Sequence, residues 1–246
     1  MRSFASDNNS GVHPLVMEAL NRANIDHSLG YGDDKWTEEA VAKIKETFTP
    51  NCVPLFVFNG TGSNVVALQL MTRPYHSIFC AETAHIYVDE CGSPVKMTGC
   101  QIRPIATPDG KLTPELMQPY LHGFGDQHHS QPRALYISQC TELGTIYTPE
   151  ELKRLTDFAH LNGMYVHMDG ARLSNAVAYL GCDPRDITSR VGIDVLSFGG
   201  TKNGMMFGEA VVFFNPEVAK EVQYIRKQLM QLHSKTPVSY THLTLP

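Results

Sequence analysis

The feature that most constrains the fold is an alternation, from about residue 54 onward, of short apolar runs with longer segments of helical pattern. The runs are rich in β-branched and aromatic residues, which favour strands. Most are apolar without strict alternation, as is typical of strands covered by helices on both faces. The candidates are PLFVFNG, SIFCAE, QIRPIAT, RALYISQ, MYVHMDG, IDVLSFGG and EAVVFF. They predict an α/β fold with a mostly parallel seven-stranded sheet.

Capping signals mark one helix especially well. Between RALYISQ and MYVHMDG, Thr148 and Glu151 form a capping box around Pro149 at the first helical position, and Gly163 marks the end. The segments HPLVMEALNRAN and TEEAVAKIKETF read as two earlier helices, joined by LGYGDD. A helical pattern over PEVAKEVQYIRKQLMQLHSK precedes TPVSYTHLTLP, which predicts no further element. The inward face of the capped helix is predicted to carry Leu152, Leu155, Phe158 and Ala159.

Composition argues against several classes of protein. The 246 residues carry a net charge of −5 without a run of like charges, so we expect no nucleic-acid or membrane partner. The N-terminus lacks the apolar core of a signal peptide, and no apolar stretch reaches the ~18 residues of a spanning helix. The 6 cysteines are irregularly spaced without a CxxC motif, which indicates reduced core residues and no metal site. We therefore expect a cytoplasmic protein with a small-molecule partner.

Polar residues follow the predicted strands at the positions where α/β proteins bind ligands. After the first strand, the stretch NGTGSN (residues 59–64) opens a helix with small residues. Its backbone N–H groups could approach a phosphate, where the helix dipole favours an anion. An ordinary glycine-rich turn is the alternative.

Four more positions carry chemistry only in combination. His85 could stack on a planar ligand or move a proton, although a structural hydrogen bond is the alternative. Asp169 could hold a proton on a ring nitrogen and Arg172 could bind a carboxylate, unless the two form an ion pair with each other. Lys202 could form a Schiff base with an aldehyde, or be a solvated loop lysine. With a phosphate cradle, these groups match the parts that bind pyridoxal phosphate.

On these residues the sequence resembles the threonine aldolases of the β-eliminating-lyase branch of fold-type I pyridoxal phosphate enzymes. The resemblance covers residues from about 4 to 235, and HMDGAR and SFGGTKNG together carry most of its specificity. The matching segments are SDNNSGVHP (6–14), YGDD (31–34), NGTGSN (59–64), AHIY…E (84–90), HMDGARLSNA (167–176) and SFGGTKNGMMFGEAVVFF (197–214).

The resemblance implies how the cofactor is bound. Lys202 would hold pyridoxal phosphate as a Schiff base, and Asp169 would keep its ring nitrogen protonated. His85 would stack on the ring and is one candidate for the catalytic base. The residues around the phosphate would be Gly60, Thr61, Gly62 and Thr201.

The resemblance also implies a reaction, the retro-aldol cleavage of L-threonine or L-allo-threonine to glycine and acetaldehyde. Ser6 and Arg172 would bind the substrate carboxylate, and Tyr31 would form a pocket wall. His129, or its neighbour His128, would lie near the substrate hydroxyl as a second candidate base. Another lyase or aminotransferase reaction on the same cofactor is the enzymatic alternative.

The implied organisation has three parts: residues 1–53 as an N-terminal arm with helices, 54–235 as the cofactor-binding large domain, and 236–246 as a tail unlike the family. Family members continue into a smaller domain that covers the pocket and adds a carboxylate-binding arginine. We therefore expect a truncated chain with weak or absent aldolase activity, and an inactive cofactor-binding fragment is a further alternative. The full-length form is expected to be a homodimer or homotetramer.

Overall fold

The computed structural model describes residues 3–240 and is built on a seven-stranded sheet with the strand order β1-β7-β6-β5-β4-β2-β3. Strand β7 runs antiparallel to both of its neighbours, β1 and β6, and the remaining pairs are parallel. The predicted strands and the mostly parallel α/β class are confirmed. The strands are β1 Val53–Val57, β2 His76–Ala81, β3 Gln101–Ile105, β4 Gln131–Ser138, β5 Tyr165–Gly170, β6 Val195–Gly199 and β7 Glu209–Phe213.

Helices cover both faces of this sheet. None of those within residues 3–240 has the length and apolar character that crossing a bilayer requires. The α-helices of this part of the chain are α1 Pro14–Ala23, α2 Lys35–Thr47, α3 Gly60–Met71, α4 His85–Val88, α5 Ser93–Thr98, α6 Pro114–Met117, α7 Pro149–Leu161, α8 Leu173–Leu180, α9 Val222–Gln228 and α10 Thr236–Tyr240.

Helix α7 begins and ends where the capping signals predict. The Thr148 side chain accepts a hydrogen bond from the Glu151 N–H, and the Glu151 carboxylate accepts one from the Thr148 N–H. Gly163, with φ +69°, lies in the left-handed region that stops the helix. The predicted inward face is confirmed by the burial of Leu152, Leu155 and Ala159, with Phe158 half-buried beside them.

Each central strand is apolar on both faces because each face packs against its own helices. On β4, Leu135 belongs to a core cluster shared with α2, α7 and α8, whereas Ala134 and Tyr136 belong to a cluster shared with α3 and α9. All of these side chains are fully buried. This two-sided burial explains the absence of strict alternation in the strand sequences.

The C-terminal part departs from the prediction. The long helical pattern is helical only over α9, and the segment Thr236–Tyr240 forms α10 although no element was predicted there. Thr236 explains the difference, because its hydroxyl donates to the Asp34 carboxylate at 2.7 Å and accepts from the Gly32 N–H at 2.9 Å. These tertiary contacts with the start of α2 stabilise an element that local propensity does not predict. The rest of the predicted tail, residues 241–246, lies outside the described residues.

Candidate active site

A pocket of about 220 Å³ opens at the edge of the sheet where the parallel strands have their carboxyl ends. Because β7 is antiparallel, its first residue, Glu209, lies at this same edge and also lines the pocket. The structure therefore brings together residues that are far apart in the sequence. The sequence-predicted residues that line the pocket are Gly60, Thr61, His85, Asp169, Arg172, Thr201 and Lys202.

Ser6 and Tyr31, predicted to contact the substrate, lie outside the pocket lining. The Ser6 hydroxyl accepts a hydrogen bond from the Asn8 N–H and caps a short 3-10 turn of the arm, and it is Asn8 that lines the pocket. Tyr31 is exposed, with a left-handed φ of +62°, and the Lys227 amine lies 5.7 Å from its ring centre. Sequence proximity to a site motif therefore does not place either side chain in the pocket of this chain.

The remaining predicted residues are also outside the lining. His129 lies in the loop before β4, where its Nε2 is 3.5 Å from the Asp126 carboxylate, and its neighbour His128 is exposed. Gly62 lies inside the first turn of α3, where the Gln231 side chain fills the place of a Cβ atom. Gly62 therefore packs against the flexible end of a side chain.

Lys202 follows β6 in the short 3-10 turn Thr201–Asn203. Its amine lines the pocket and forms no hydrogen bond or ion pair with any residue between 3 and 240. Close packing against backbone requires the glycine at position 199, whereas Gly200 packs against a flexible side chain. A Cβ at Gly199 would lie 2.6 Å from the Cα of Ala171, and one at Gly200 would overlap the Met205 sulfur. An unpaired primary amine at a rigid strand end is available for a carbonyl ligand.

Asp169 lies near the end of β5 with both carboxylate oxygens hydrogen-bonded. Oδ1 accepts from the Ala171 N–H at 2.9 Å, and Oδ2 accepts from the Tyr136 hydroxyl at 2.7 Å and from Asn64 Nδ2 at 3.2 Å. Burial raises the pKa of Asp169, but these hydrogen bonds outweigh it and hold the pKa below its ordinary value. The carboxylate is therefore ionised and can hold a proton on a ligand nitrogen.

Arg172 does not pair with Asp169. Its Nε donates to Asp7 Oδ2 at 2.6 Å and its Nη2 to Asp7 Oδ1 at 3.3 Å, a two-point contact with the N-terminal arm. Burial raises the pKa of Asp7, and the contact with Arg172 outweighs it so that the pKa lies below its usual value. The guanidinium at the pocket is thus already oriented to receive a carboxylate.

His85 begins α4 and is held by two carboxylates. Its Nδ1 lies 2.8 Å from Glu90 Oε1, and its backbone N–H donates to Glu142 Oε1 at 3.0 Å. The hydrogen bond to Glu90 outweighs burial and raises the pKa of His85. Burial in turn raises the pKa of Glu90, a side chain that is almost completely buried.

A buried polar network lies beneath these residues. Ser197 Oγ donates to Asn64 Oδ1 at 2.9 Å, accepts from Ser63 Oγ at 2.7 Å and lies 2.9 Å from His167 Nε2. Burial lowers the pKa of His167 to about 4, so its imidazole is neutral. The network connects β5, β6 and α3 and fixes Asn64 beside Asp169.

The start of α3 is a site for an anion. Asn59 caps this helix by accepting from the Gly62 N–H at 2.7 Å, whereas the N–H groups of Gly60 and Thr61 donate to no acceptor within residues 3–240. Nothing lies within 4 Å of a Cβ position at Gly60. Free N–H groups and the dipole of this 12-residue helix suit a phosphate. Together with the free amine and the ionised carboxylate, they fit pyridoxal phosphate.

Sequence reasoning missed several pocket residues. Glu209 is buried, which raises its pKa to about 7, and the only sequence signal was a carboxylate opening the apolar strand EAVVFF. Glu90 lies behind the pocket, just beyond the end of α4, and its only sequence signal was the glutamate that closes the segment AHIY…E. The other pocket residues that were not predicted are Asn8, Asn59, Asn64, Ser138, Cys140, Glu142 and Ala171.

Comparison with known proteins identifies relatives of this chain. The low specificity L-threonine aldolase of Pseudomonas sp. (strain NCIMB 10558) is 45% identical over 235 residues, covering 95% of this chain and 68% of that protein. The enzyme of the same name from Saccharomyces cerevisiae is 31% identical over 225 residues, 87% of this chain and 54% of that protein. The structure of Leishmania major threonine aldolase superposes with a TM-score of 0.93 at 31% identity, covering 99% of this chain and 71% of that one. The family model described as beta-eliminating lyase matches residues 3–235, and the protein therefore belongs to the beta-eliminating lyase family.

Proposed function

We propose that the protein cleaves L-threonine and L-allo-threonine to glycine and acetaldehyde with pyridoxal phosphate as cofactor. The observation that carries this proposal is the meeting, in one pocket, of the unpaired Lys202 amine, the ionised Asp169 carboxylate and the free N–H groups at the start of α3. The relatives named threonine aldolases support the reaction, and enzymes of this family use pyridoxal phosphate.

The chain's own residues provide the cofactor contacts. Lys202 would bind the aldehyde carbon through its amine, and Asp169 would hold a proton on the ring nitrogen. When bound, pyridoxal phosphate supplies the electron sink that Cα–Cβ cleavage of an amino acid requires. The phosphate would be held by the N–H groups of Gly60 and Thr61 and by the Thr201 side chain.

The substrate is an amino acid whose carboxylate and hydroxyl need separate partners. Arg172 would bind the carboxylate with two parallel hydrogen bonds, as it now binds Asp7. His85 lines the pocket, and its Nε2 has no hydrogen-bond partner among the described residues, so it can accept the β-hydroxyl proton. The substrate roles predicted for Ser6, Tyr31 and His129 require these side chains to come closer to the pocket than the structure has them, and they remain predictions.

The cellular location, the oligomeric state and the domain boundaries are part of the same proposal. The protein is proposed to be cytoplasmic, and the family resemblance supports a homodimer or homotetramer. The division into an arm with helices, a cofactor-binding domain and a tail is proposed at residues 1–53, 54–235 and 236–246.

The test is a turnover assay on purified protein supplied with pyridoxal phosphate. L-threonine should yield glycine and acetaldehyde in equal amounts, at the weak rate expected from the sequence, with acetaldehyde followed by a coupled alcohol dehydrogenase. Lys202→Ala should abolish both turnover and the Schiff-base absorbance, whereas Lys153→Ala, an exposed lysine of α7, should change neither. Release of ammonia or a keto acid instead of acetaldehyde would show another lyase or an aminotransferase. A Schiff-base band without turnover on any β-hydroxy amino acid would show a cofactor-binding fragment.

A further inference from the structure

Four side chains connect the two functional ends of the pocket: His85, Glu90, Asn64 and Asp169. We propose that Glu90 is the positioning residue of His85, which keeps a proton on Nδ1 and leaves Nε2 as the proton acceptor in the pocket. Asn64 donates hydrogen bonds to both Glu90 and Asp169, and Asp169 is the carboxylate proposed to contact the ring nitrogen. His85 and Asp169 are therefore held together as one hydrogen-bonded unit. The reaction that this unit serves rests on the proposed function, but the proton positions do not.

The orientation of the Asn64 amide is the first step. Its Nδ2 lies 2.7 Å from Glu90 Oε1 and 3.2 Å from Asp169 Oδ2. Carboxylate oxygens accept hydrogen bonds, so the NH2 group and not the carbonyl must face them. The Ser197 hydroxyl, which donates to Asn64 Oδ1 at 2.9 Å, requires the same orientation. Both amide hydrogens are therefore used, one on each carboxylate.

The proton on His85 follows from this orientation. Glu90 Oε1 accepts a hydrogen from Asn64 and therefore faces His85 Nδ1, 2.8 Å away, as an acceptor. If Glu90 takes up a proton, the unpartnered oxygen Oε2 is free to carry it, and Oε1 remains the acceptor. Nδ1 therefore keeps its hydrogen in either state of Glu90. The neutral ring then has its lone pair on Nε2.

His85 presents the Nε2 lone pair on the accessible side of the ring, where it can accept a proton from a ligand in the pocket. His85 lines the pocket with 34% of its side chain exposed, whereas the Glu90 side chain is inaccessible. A buried carboxylate behind an accessible imidazole increases the proton affinity of the outward nitrogen, because the positive charge that forms there is partly compensated. A histidine held only by apolar contacts would have neither a fixed proton position nor this compensation.

Other charged groups around His85 and Glu90 shift the pKa of His85 in both directions. The Asp169 carboxylate on β5 raises the pKa of His85, and the Lys202 ammonium after β6 lowers it. Glu142, which follows β4, accepts from the Ser138 hydroxyl and from the backbone N–H of His85, and it forms no hydrogen bond with the ring. Asp89 is exposed and adjoins Glu90 in sequence. Among these groups, Glu90 is the one in contact with the ring, so the removal of its charge should change the titration of His85 most.

The experiment is a ¹⁵N NMR titration of labelled histidines in the cofactor-free protein, with the His85 signals assigned by their loss in His85→Asn. Neutral His85 is expected to carry its hydrogen on Nδ1. Glu90→Gln preserves the shape and the accepting oxygen but removes the charge, and should lower the titration midpoint of His85 by about one unit or more. The matched control is Asp89→Asn, which removes a neighbouring exposed carboxylate and should leave the midpoint nearly unchanged.

Two results would overturn the proposal: a hydrogen on Nε2 in neutral wild-type His85, or the same midpoint in Glu90→Gln as in the wild type. The proton position is measured on the wild-type protein, so it tests the proposal even if the Glu90→Gln variant fails to fold. Neither measurement needs cofactor or substrate, so either can fail while the aldolase assay succeeds, and the reverse. In the loaded enzyme, the acidic limb of the kcat/KM profile should move to lower pH in Glu90→Gln by the same amount as the NMR midpoint.

Discussion

The buried histidine His167 makes stability depend on pH in a calculable way. It lies on β5, completely buried, with Nε2 2.9 Å from Ser197 Oγ and with no hydrogen-bond partner for Nδ1 among residues 3–240. Ser197 donates its own hydrogen to Asn64, so Nε2 must carry the proton of the neutral ring. Protonation would place a second hydrogen on Nδ1, where the described part of the chain offers no acceptor, and a charge inside the core.

The magnitude follows from the two pKa values of the group. Burial lowers the pKa of His167 from 6.5 to about 4 in the folded protein, a difference worth about 3 kcal/mol. Between these values the unfolded chain binds the proton and the folded chain does not. The free energy of unfolding therefore falls as the pH decreases from 6.5 towards 4, and this contribution is fully present only above 6.5.

Urea denaturation at a series of pH values measures this effect in the wild type and in His167→Gln. The glutamine Nε2 retains a donor for Ser197 but cannot titrate. The difference in unfolding free energy between the two proteins should shrink by about 3 kcal/mol from neutral pH to the folded pKa of about 4.

A variant of His160 serves as a control, because its stability should depend on pH with the opposite sign. The hydrogen bond to Asp194 raises the pKa of His160, so the stabilisation from that pair is complete at low pH and is lost as the pH rises through the folded pKa. Relative to the wild type, His160→Gln should therefore lose stability at low pH and not at high pH. Equal pH slopes for the wild type and His167→Gln would refute the reasoning about the buried ring.

Three further predictions concern the pocket and its approach. Gly199→Ala should reduce the free energy of unfolding by about 1–3 kcal/mol, measured in urea, because its Cβ would meet the backbone of Ala171 at 2.6 Å. Gly60→Ala, with open space around its Cβ position, should leave that free energy nearly unchanged but weaken the binding of pyridoxal phosphate in a fluorescence titration. Asp7→Asn should lower KM for L-threonine about two- to fivefold, because Asp7 occupies two donors of Arg172 that a substrate carboxylate needs. An unchanged or higher KM would mean that Asp7 holds Arg172 in place and does not compete.

The layer structure, and the edge of the sheet where the site lies, could both be predicted from local sequence patterns. Runs such as RALYISQ are apolar on both faces because helices cover both faces, and that pattern is local and readable. The polar residues that follow these runs meet because parallel strands end at one edge, which is a consequence of topology alone. His85, Asp169 and Lys202 are therefore found together in the pocket as their positions after strands predict.

Which groups pair with one another depends on tertiary contacts that the sequence patterns do not reveal. Arg172 binds Asp7, from an arm more than a hundred residues away, and not its near neighbour Asp169. Glu90 reaches Asp169 through Asn64, a residue of the stretch NGTGSN whose sequence position does not indicate these two contacts. Hydrogen bonds and charges act over a few ångströms in space, and the distances that set them depend on the packing of several elements at once. The sequence pattern of a single segment therefore cannot predict those distances.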